Sequence, residues 1–194
     1  MAQETYQIVL VGGGSVGKTC LAVRYLNGKF LPDYDPTIEQ TFKKLVLIDN
    51  IPTNLHIIDT AGQDDYKDVR NKYIASGEGF VVVYSIIARS SFDEAKTLLL
   101  QIKKEHKSDV PVITVANKID FEKERVVTVA EGEQLAKKFA TSYFEVSAKT
   151  GQNTENCFES LVRSLRKKKQ EITQQIQQPI NNKNESSSGC CIIL

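Results

Sequence analysis

The stretch GGGSVGKT, residues 12–19, decides the fold of this chain. It follows the apolar run IVLV and precedes a helical pattern over 18–26, so it connects a strand to a helix. It fits G-x-x-x-x-G-K-[ST], a pattern in which backbone amides and the positive end of a helix dipole converge on one point. The pattern predicts a phosphate-binding loop, and the alternative is a glycine-rich turn with a solvated Lys18.

The residue types of this loop suit a nucleotide. Glycines allow the backbone to approach phosphate oxygens closely, Lys18 can neutralise the β- and γ-phosphates, and the Thr19 hydroxyl can bind Mg²⁺. The predicted nucleotide contacts of this segment are Gly12, Gly13, Gly14, Ser15, Val16, Gly17, Lys18, Thr19 and Cys20.

Short β-branched runs alternate with helical patterns along the rest of the chain. Four of the runs are apolar without clean alternation, as in parallel strands covered on both faces, whereas 42–48 alternates and reaches 54–59 through a short connection typical of a hairpin. The prediction is a doubly wound α/β fold: a mostly parallel six-stranded sheet with one antiparallel edge strand and helices on both faces. The predicted strands are 6–11, 42–48, 54–59, 79–85, 110–117 and 143–147.

Two helix starts carry a capping-box pattern, Ser91 with Glu94 and Thr128 with Glu131. Two apolar stripes at helical spacing are expected to pack on the sheet. They consist of Phe92, Ala95, Leu99 and Ile102, and of Cys157, Phe158, Leu161, Val162 and Leu165.

Three further motifs end predicted strands: DTAGQ (59–63), NKID (117–120) and SAK (147–149). Sheets of this kind bind ligands at the carboxyl ends of their strands. Asp59 can reach Mg²⁺ through a water, Gly62 can offer its amide to a γ-phosphate, and Gln63 can orient a water. An ordinary strand end is the alternative for each motif alone, but four in order at one edge are not a coincidence. DTAGQ adds Thr60 and Ala61 to the predicted contacts.

The NKID and SAK motifs predict a guanine pocket. The Asp120 carboxylate can accept two hydrogen bonds from guanine, a pattern that adenine does not offer. Asn117 would brace the loop, Lys118 would lie along the base and sugar, and the Ala148 amide would meet the guanine carbonyl oxygen. Ser147 and Lys149 complete the predicted base contacts.

The overall composition excludes other classes. The chain has 25 basic and 24 acidic residues, so its overall charge gives no reason to expect nucleic acid as a partner. The run FVVVYSII is too short to span a bilayer, and the N-terminal residues lack a secretory signal, so we expect a cytosolic protein. The four cysteines show no zinc spacing, and Cys20 and Cys157 are expected to be small core residues.

GGGSVGKT, YDPTIE (34–39), DTAGQ, NKID and SAK together resemble a small GTPase of the Ras family. The resemblance implies GTP and GDP as ligands with Mg²⁺ held by Thr19, Thr37 and Asp59. It implies that Tyr34 packs over the phosphates and that Phe30 lies edge-on to guanine, where an ordinary apolar contact is the alternative. Lys18 and Gln63 would serve hydrolysis.

The resemblance also implies a slow molecular switch. Its partners would be an exchange factor, an activating protein that supplies an arginine, and effectors that read residues 31–41 and 60–73. The predicted effector region is Tyr34, Asp35, Pro36, Thr37, Ile38, Glu39, Gln40, Thr41 and Phe42.

Two departures from Ras distinguish this chain. Ser15 replaces a glycine beside Gly14, and we hypothesise that its hydroxyl loosens the nucleotide and speeds exchange. Gln40 and Thr41 replace an aspartate and a serine, which weakens the acidic surface that basic effectors would meet.

The last four residues, CIIL, match a prenylation motif that favours geranylgeranyl on Cys191. One lipid chain is marginal, so a second signal is expected: palmitate on Cys190, or the basic run 166–169, which we interpret instead as a solvated helix end. The predicted organisation is a GTP-binding domain over 1–169 and a flexible tail over 170–194, anchored at the cytoplasmic face of the plasma membrane.

Two other functions compete with the GTP-hydrolysing switch. A nucleotide-bound scaffold with negligible hydrolysis is disfavoured by Gln63 and Gly14. A small-molecule kinase is disfavoured because NKID and SAK specify guanine and leave no evident acceptor site.

Overall fold

The computed structural model describes residues 4–30, 39–62, 67–107 and 109–177. Strands and helices alternate along them, as the sequence predicts. In chain order the elements are β1 (Glu4–Val11), α1 (Lys18–Asn27), β2 (Glu39–Ile48), β3 (Ile51–Thr60), α2 (Lys67–Ser76), β4 (Gly79–Ser85), α3 (Arg89–Glu105), β5 (Val112–Asn117), a 3₁₀ helix (Ile119–Glu124), α4 (Val129–Phe139), β6 (Ser142–Glu145) and α5 (Thr154–Gln177).

The six strands form one sheet in the order β2-β3-β1-β4-β5-β6. β1 pairs in parallel with β3 and β4, β5 pairs in parallel with β4 and β6, and β2 runs antiparallel to β3 at the edge. The predicted fold class is therefore confirmed. All parallel strands end at the same edge, where β1 leads into the 12–17 loop.

The β2–β3 hairpin turns on two residues, Asp49 and Asn50, both in the left-handed region with φ of 53° and 60°. Asn and Asp tolerate this conformation, and two such residues match the twist of the flanking strands. The strands consequently extend further than predicted, because Ile51 and Pro52 belong to β3.

Two apolar cores lie on opposite faces of the sheet. Both predicted stripes are buried: that of α5 belongs to the core shared with α1, and that of α3 belongs to the core on the other face. Cys157 is fully buried, whereas Cys20 is only half-buried because it also borders the cavity described below.

The capping box predicted for Ser91 and Glu94 is wrong. The helix begins earlier, at Arg89, so Ser91 lies within its first turn. Its hydroxyl donates to the carbonyl of Ala88 (2.6 Å) and accepts from the backbone amide of Ser85 (3.0 Å), which joins α3 to β4. The box of Thr128 and Glu131 is confirmed, with the Thr128 amide donating to Glu131 at 2.9 Å.

This box predicts a pH-dependent stability. The Thr128 amide, then the Arg89 side chain and the Thr128 hydroxyl, hold the pKa of Glu131 at about 2 instead of 4.5. A carboxylate with a lowered folded-state pKa stabilises the protein above its unfolded pKa, and this stability is lost as the pH falls through the folded value. Urea denaturation should find Glu131→Gln less stable than wild type at pH 7, with the difference shrinking below about pH 4.5. Glu133→Gln, on the same helix, should show no such convergence.

α5 continues to Gln177, so the basic run 166–169 lies inside the helix and not at its end. Arg166 is buried and bonds Glu4 (2.7 Å), while Lys167, Lys168 and Lys169 pair with Glu171, Asp109 and Glu78. These cations thus serve contacts within the domain. Within the described ranges, no helix is long and apolar enough to cross a membrane.

Candidate functional site

The 12–17 loop wraps back over the start of α1. Gly17 precedes the helix with φ of 91°, a conformation that side chains rarely adopt, and a Cβ there would lie 2.6 Å from Asn117 Nδ2. Glycine is therefore required where the loop approaches the NKID segment. The loop leaves the amide end of α1 facing the cavity, a favourable site for an anion.

Lys18 lies across this loop and is only 6 % exposed. Its Nζ donates to the carbonyl oxygens of Gly12 and Gly13, both at 2.8 Å. Burial lowers its pKa to about 8, although Asp59 and Glu94 oppose this shift. A phosphate beside Nζ would add negative charge and thereby favour the charged ammonium. Lys18 is therefore well placed to bind an anion.

Thr19 and Asp59 meet behind the loop. The Thr19 hydroxyl donates to an Asp59 carboxylate oxygen, and both side chains are buried. Hydroxyl and carboxylate oxygens are the donors that Mg²⁺ takes. Among the described residues, no group of three or more His, Cys, Asp or Glu side chains could hold a metal ion. The pair suits a cation that completes its coordination with phosphate and water.

The DTAG backbone packs directly against the phosphate-binding loop. A Cβ at Gly62 would lie 2.3 Å from the Gly13 oxygen and 2.5 Å from Lys18 Nζ. Only glycine permits this approach, which leaves the Gly62 backbone next to the lysine. Thr60, which donates to the Leu10 oxygen (2.8 Å), and buried Ala61 hold the segment in place.

Asn117 connects the NKID and SAK segments to the phosphate-binding loop. Its Nδ2 donates to the Val16 carbonyl (2.9 Å), and its Oδ1 accepts from the Ala148 amide (3.1 Å). The Ala148 amide, predicted to meet guanine, thus already has an acceptor, which a guanine oxygen would have to share or replace.

Asp120 is held in place by SAK. The Ser147 hydroxyl donates to Asp120 Oδ1 (2.7 Å) and in turn accepts from the Thr150 amide (3.0 Å). Ser147 itself is fully buried. This fixes one carboxylate oxygen and orients the group at the cavity wall, as recognition of two adjacent donors requires.

One cavity of about 660 Å³ joins the phosphate and base sides. Gly12, Gly13, Val16, Asp59, Ala61 and Ser147 are predicted residues that lie behind its surface, where they support it. The predicted residues that line it are Gly14, Ser15, Gly17, Lys18, Thr19, Cys20, Phe30, Thr60, Gly62, Asn117, Lys118, Asp120, Ala148 and Lys149.

Two lining residues, Ile87 and Phe121, were not predicted. Phe121 follows NKID directly, and Lys149 Nζ lies 5.4 Å from its ring centroid. Ile87 follows β4 at the carboxyl edge of the sheet. Both are apolar and neither belongs to a phosphate or base motif. Only their positions just after a strand or the NKID segment, at the carboxyl edge of the sheet, could have predicted that they line the cavity.

Several predicted residues lie outside the described ranges: Tyr34, Asp35, Pro36, Thr37, Ile38, Gln63, Cys190 and Cys191. The described part of the effector region is the start of β2, where Glu39, Gln40 and Thr41 are exposed and Phe42 packs against the core. Glu39 accepts a hydrogen bond from the Tyr73 hydroxyl of α2.

Ser15 adopts φ of 59°, a left-handed conformation that costs a non-glycine residue about 1 kcal/mol. Ser15→Gly should relieve this strain in the loop, and GDP should dissociate several-fold more slowly from it than from wild type, as measured with a fluorescent GDP. Ser15→Ala removes only the hydroxyl and separates its effect from that of the backbone. A wild type that releases GDP no faster than Ser15→Gly would reject the hypothesis.

Comparison with known proteins agrees with this geometry. Residues 7–167 match the Ras family. The chain is 45 % identical over 172 residues to "Protein ras-1" of Neurospora crassa (88 % of this chain, 81 % of that protein). It is 44 % identical over 169 residues to a "Ras-like protein" of Laccaria bicolor (87 % and 81 %). It is 44 % identical over 162 residues to "Ras-like protein 1" of Saccharomyces cerevisiae (83 % and 52 %).

A chain with this fold, this match and these identities binds guanine nucleotides, and regulators and effectors are its general kinds of partner. It therefore belongs to the Ras family, as a small GTPase that works as a GTP-binding signalling switch.

Proposed function

We propose that the chain hydrolyses GTP slowly with Mg²⁺ and signals from a membrane to which a lipid tethers it. The carrying observation is that Lys18, Thr19 and Gly62 line the same cavity as Asn117 and Asp120. One nucleotide can therefore place its phosphates beside Lys18, Thr19 and Gly62 and its base beside Asn117 and Asp120. A site that bound phosphate alone would not need Asn117 and Asp120.

The Thr19–Asp59 pair fits Mg²⁺, and Thr37 would join it. The ion, when bound, neutralises charge on the β- and γ-phosphates. Thr19 would bind it through its hydroxyl, and Asp59 would orient a water of its shell. Both side chains are buried, and Thr19 lines the cavity while Asp59 lies behind it.

Hydrolysis itself would depend on Lys18, Gln63 and a partner's arginine. Lys18 would hold charge on the phosphates, and Gln63 would position the attacking water. A Cβ at Gly14 would meet no described atom within 4 Å, so the loop leaves space there for an incoming side chain. Turnover on the order of 10⁻⁴ per second, rising about 10⁵-fold with the arginine, is expected for such a site.

Loss of the γ-phosphate would remove contacts of Thr37 and Gly62 and alter residues 31–41 and 60–73. Effectors would read this difference at residues 34–42. The exposed start of β2, with Gln40 and Thr41, supports a docking edge that is weakly acidic.

The membrane tether would be a geranylgeranyl group on Cys191, with palmitate on Cys190 as an alternative second signal. The chain would then act at the cytoplasmic face of the plasma membrane. The division into a GTP-binding domain over 1–169 and a tail over 170–194 stays a prediction, and the helical turns of α5 up to Gln177 extend beyond that boundary.

Single-turnover hydrolysis of GTP separates the switch from a nucleotide-bound scaffold. We expect slow phosphate release by the chain alone, a strong acceleration by an arginine-supplying activator, and loss of the accelerated rate in Gln63→Leu. GTP that remains intact with every activator tested would favour the scaffold. Transfer of phosphate to an added acceptor would identify a kinase.

A further inference from the structure

An apolar patch lies on the outer face of the β2–β3 hairpin. Leu45 and Leu47 are 60 % and 65 % exposed, and Pro52 is exposed beside them. The strand register sets Leu47 opposite Pro52. We call Leu45, Leu47 and Pro52 the hairpin patch. β3 begins at this patch and ends at the nucleotide cavity, so the two lie at opposite ends of the strand.

The hairpin patch makes no visible contribution to the core. Along β2, Phe42, Val46 and Ile48 face the core beneath α1 and α5, so the alternate residues Leu45 and Leu47 face the other side. On that side Ile58 is buried in the second core, but the high exposure of the patch means that no described helix covers it. Exposed apolar side chains on an edge strand favour unwanted association unless they have a use.

The surroundings of the hairpin patch are neutral or basic. On the same outer face the register pairs Lys43 with His56 and Leu45 with Asn54. Asp49, in the turn, is compensated by Arg163 at 2.9 Å and Arg166 at 3.4 Å. An apolar surface bordered by a lysine suits the interface of a bilayer that contains anionic lipids.

We propose that the hairpin patch is a membrane-contact surface that supplies the second anchoring signal. This rests on the lipid tether proposed above, because a single lipid chain binds only marginally. The cations of 167–169 are paired within the domain. The segment 178–194 contains one lysine, Lys183, two residues from Glu185, so it is not polybasic.

The chain length allows both contacts at once. The part of α5 from Arg163, which touches the hairpin turn, to Gln177 is about 21 Å long at the rise of an α-helix. The segment from 178 to Cys191 can span up to about 50 Å when extended. A lipid on Cys191 can therefore enter the same bilayer that the hairpin touches.

Other occupants fit less well. A second copy would need about 800 Å² per partner for a stable interface, far more than these few side chains provide. A bilayer needs only that a few apolar side chains enter its interface.

The test measures flotation of the full, enzymatically geranylgeranylated chain with vesicles of phosphatidylcholine and phosphatidylserine. The variant is Leu45→Gln combined with Leu47→Gln. The matched control is Leu100→Gln, because Leu100 on α3 is 58 % exposed and lies outside the patch. GDP binding by each variant verifies that it folds.

We expect the double variant to bind vesicles at least about tenfold more weakly than wild type, and the control to differ less than about twofold. A prenylated double variant that binds vesicles as tightly as wild type would overturn the proposal that the hairpin patch contacts the membrane. A chain that does not accept the prenyl group contradicts the tether instead. In that case the vesicle binding of the double variant is compared with that of wild type by using histidine-tagged chains on nickel-chelating lipid. Equal binding of the two would then contradict the proposed membrane contact.

Discussion

Asp120→Ala is expected to lower the affinity of the chain for GDP by about 10³-fold, because two hydrogen bonds to a carboxylate contribute roughly 1.5–3 kcal/mol each. The Ser147 hydroxyl holds one oxygen of Asp120 at 2.7 Å and thereby orients the carboxylate at the cavity wall. Truncation would leave the ring N–H and the exocyclic amine of guanine without this acceptor.

A comparison of GDP with IDP, which lacks the exocyclic amine, isolates the Asp120 interaction. Wild type should prefer GDP over IDP by about 10- to 100-fold, since one charge-assisted hydrogen bond is lost. Asp120→Ala should bind the two equally. Equilibrium competition against a fluorescent nucleotide measures both preferences, and an unchanged preference in the variant would show that another group reads the base.

Lys18→Met is expected to lower GDP affinity by about 10²- to 5 × 10³-fold, as removal of one partner from a buried charge pair costs about 3–5 kcal/mol. Lys18 is 6 % exposed and donates to the Gly12 and Gly13 carbonyls, so its ammonium is directed at the loop that would receive the phosphates. Methionine keeps the length of the apolar stem without the charge.

Guanosine provides the control for Lys18, because it presents the base and sugar without phosphates. Its affinity should be nearly equal for wild type and Lys18→Met. The nucleotide-free variant should also unfold at no lower urea concentration than wild type, since burial already lowers the pKa of Lys18 to about 8. If Lys18→Met weakens guanosine binding as much as it weakens GDP binding, Lys18 supports the fold and does not bind the phosphates.

The fold follows from local patterns that the sequence carries directly. Parallel strands such as β4 are buried on both faces and read as continuous apolar runs, and the loop around Gly17 requires glycine for steric reasons. Because strands of this arrangement end at one edge, the motifs after them could be expected to meet, and Lys18 and Asp120 do line one cavity.

Other features depend on tertiary contacts that no local pattern reveals. Ser91 resembles a helix cap, but α3 begins two residues earlier and uses its hydroxyl to join β4. The last strand ends at Glu145, two residues before its predicted end, and the Ser147 backbone amide donates to the Gln152 carbonyl (3.1 Å) instead of to a neighbouring strand. Asn117 was expected to brace the loop, but its partners, the Val16 carbonyl and the Ala148 amide, lie far away in sequence and were not predicted.

The exposure of Leu45 and Leu47 could not be predicted either. Their alternation with Phe42 and Val46 indicates a strand with two different faces, but does not say whether a helix covers the second face. That depends on how the helices pack on the sheet, which only the folded structure reveals.

The nucleotide that accompanies the purified full-length chain tests the central claim most directly. Denaturing the protein and separating the released small molecules by chromatography should yield stoichiometric GDP or GTP, and competition should show ADP binding orders of magnitude more weakly. Release of an adenine nucleotide, or equal affinity for ADP and GDP, would contradict a cavity in which Lys18 receives the phosphates and Asp120 selects guanine.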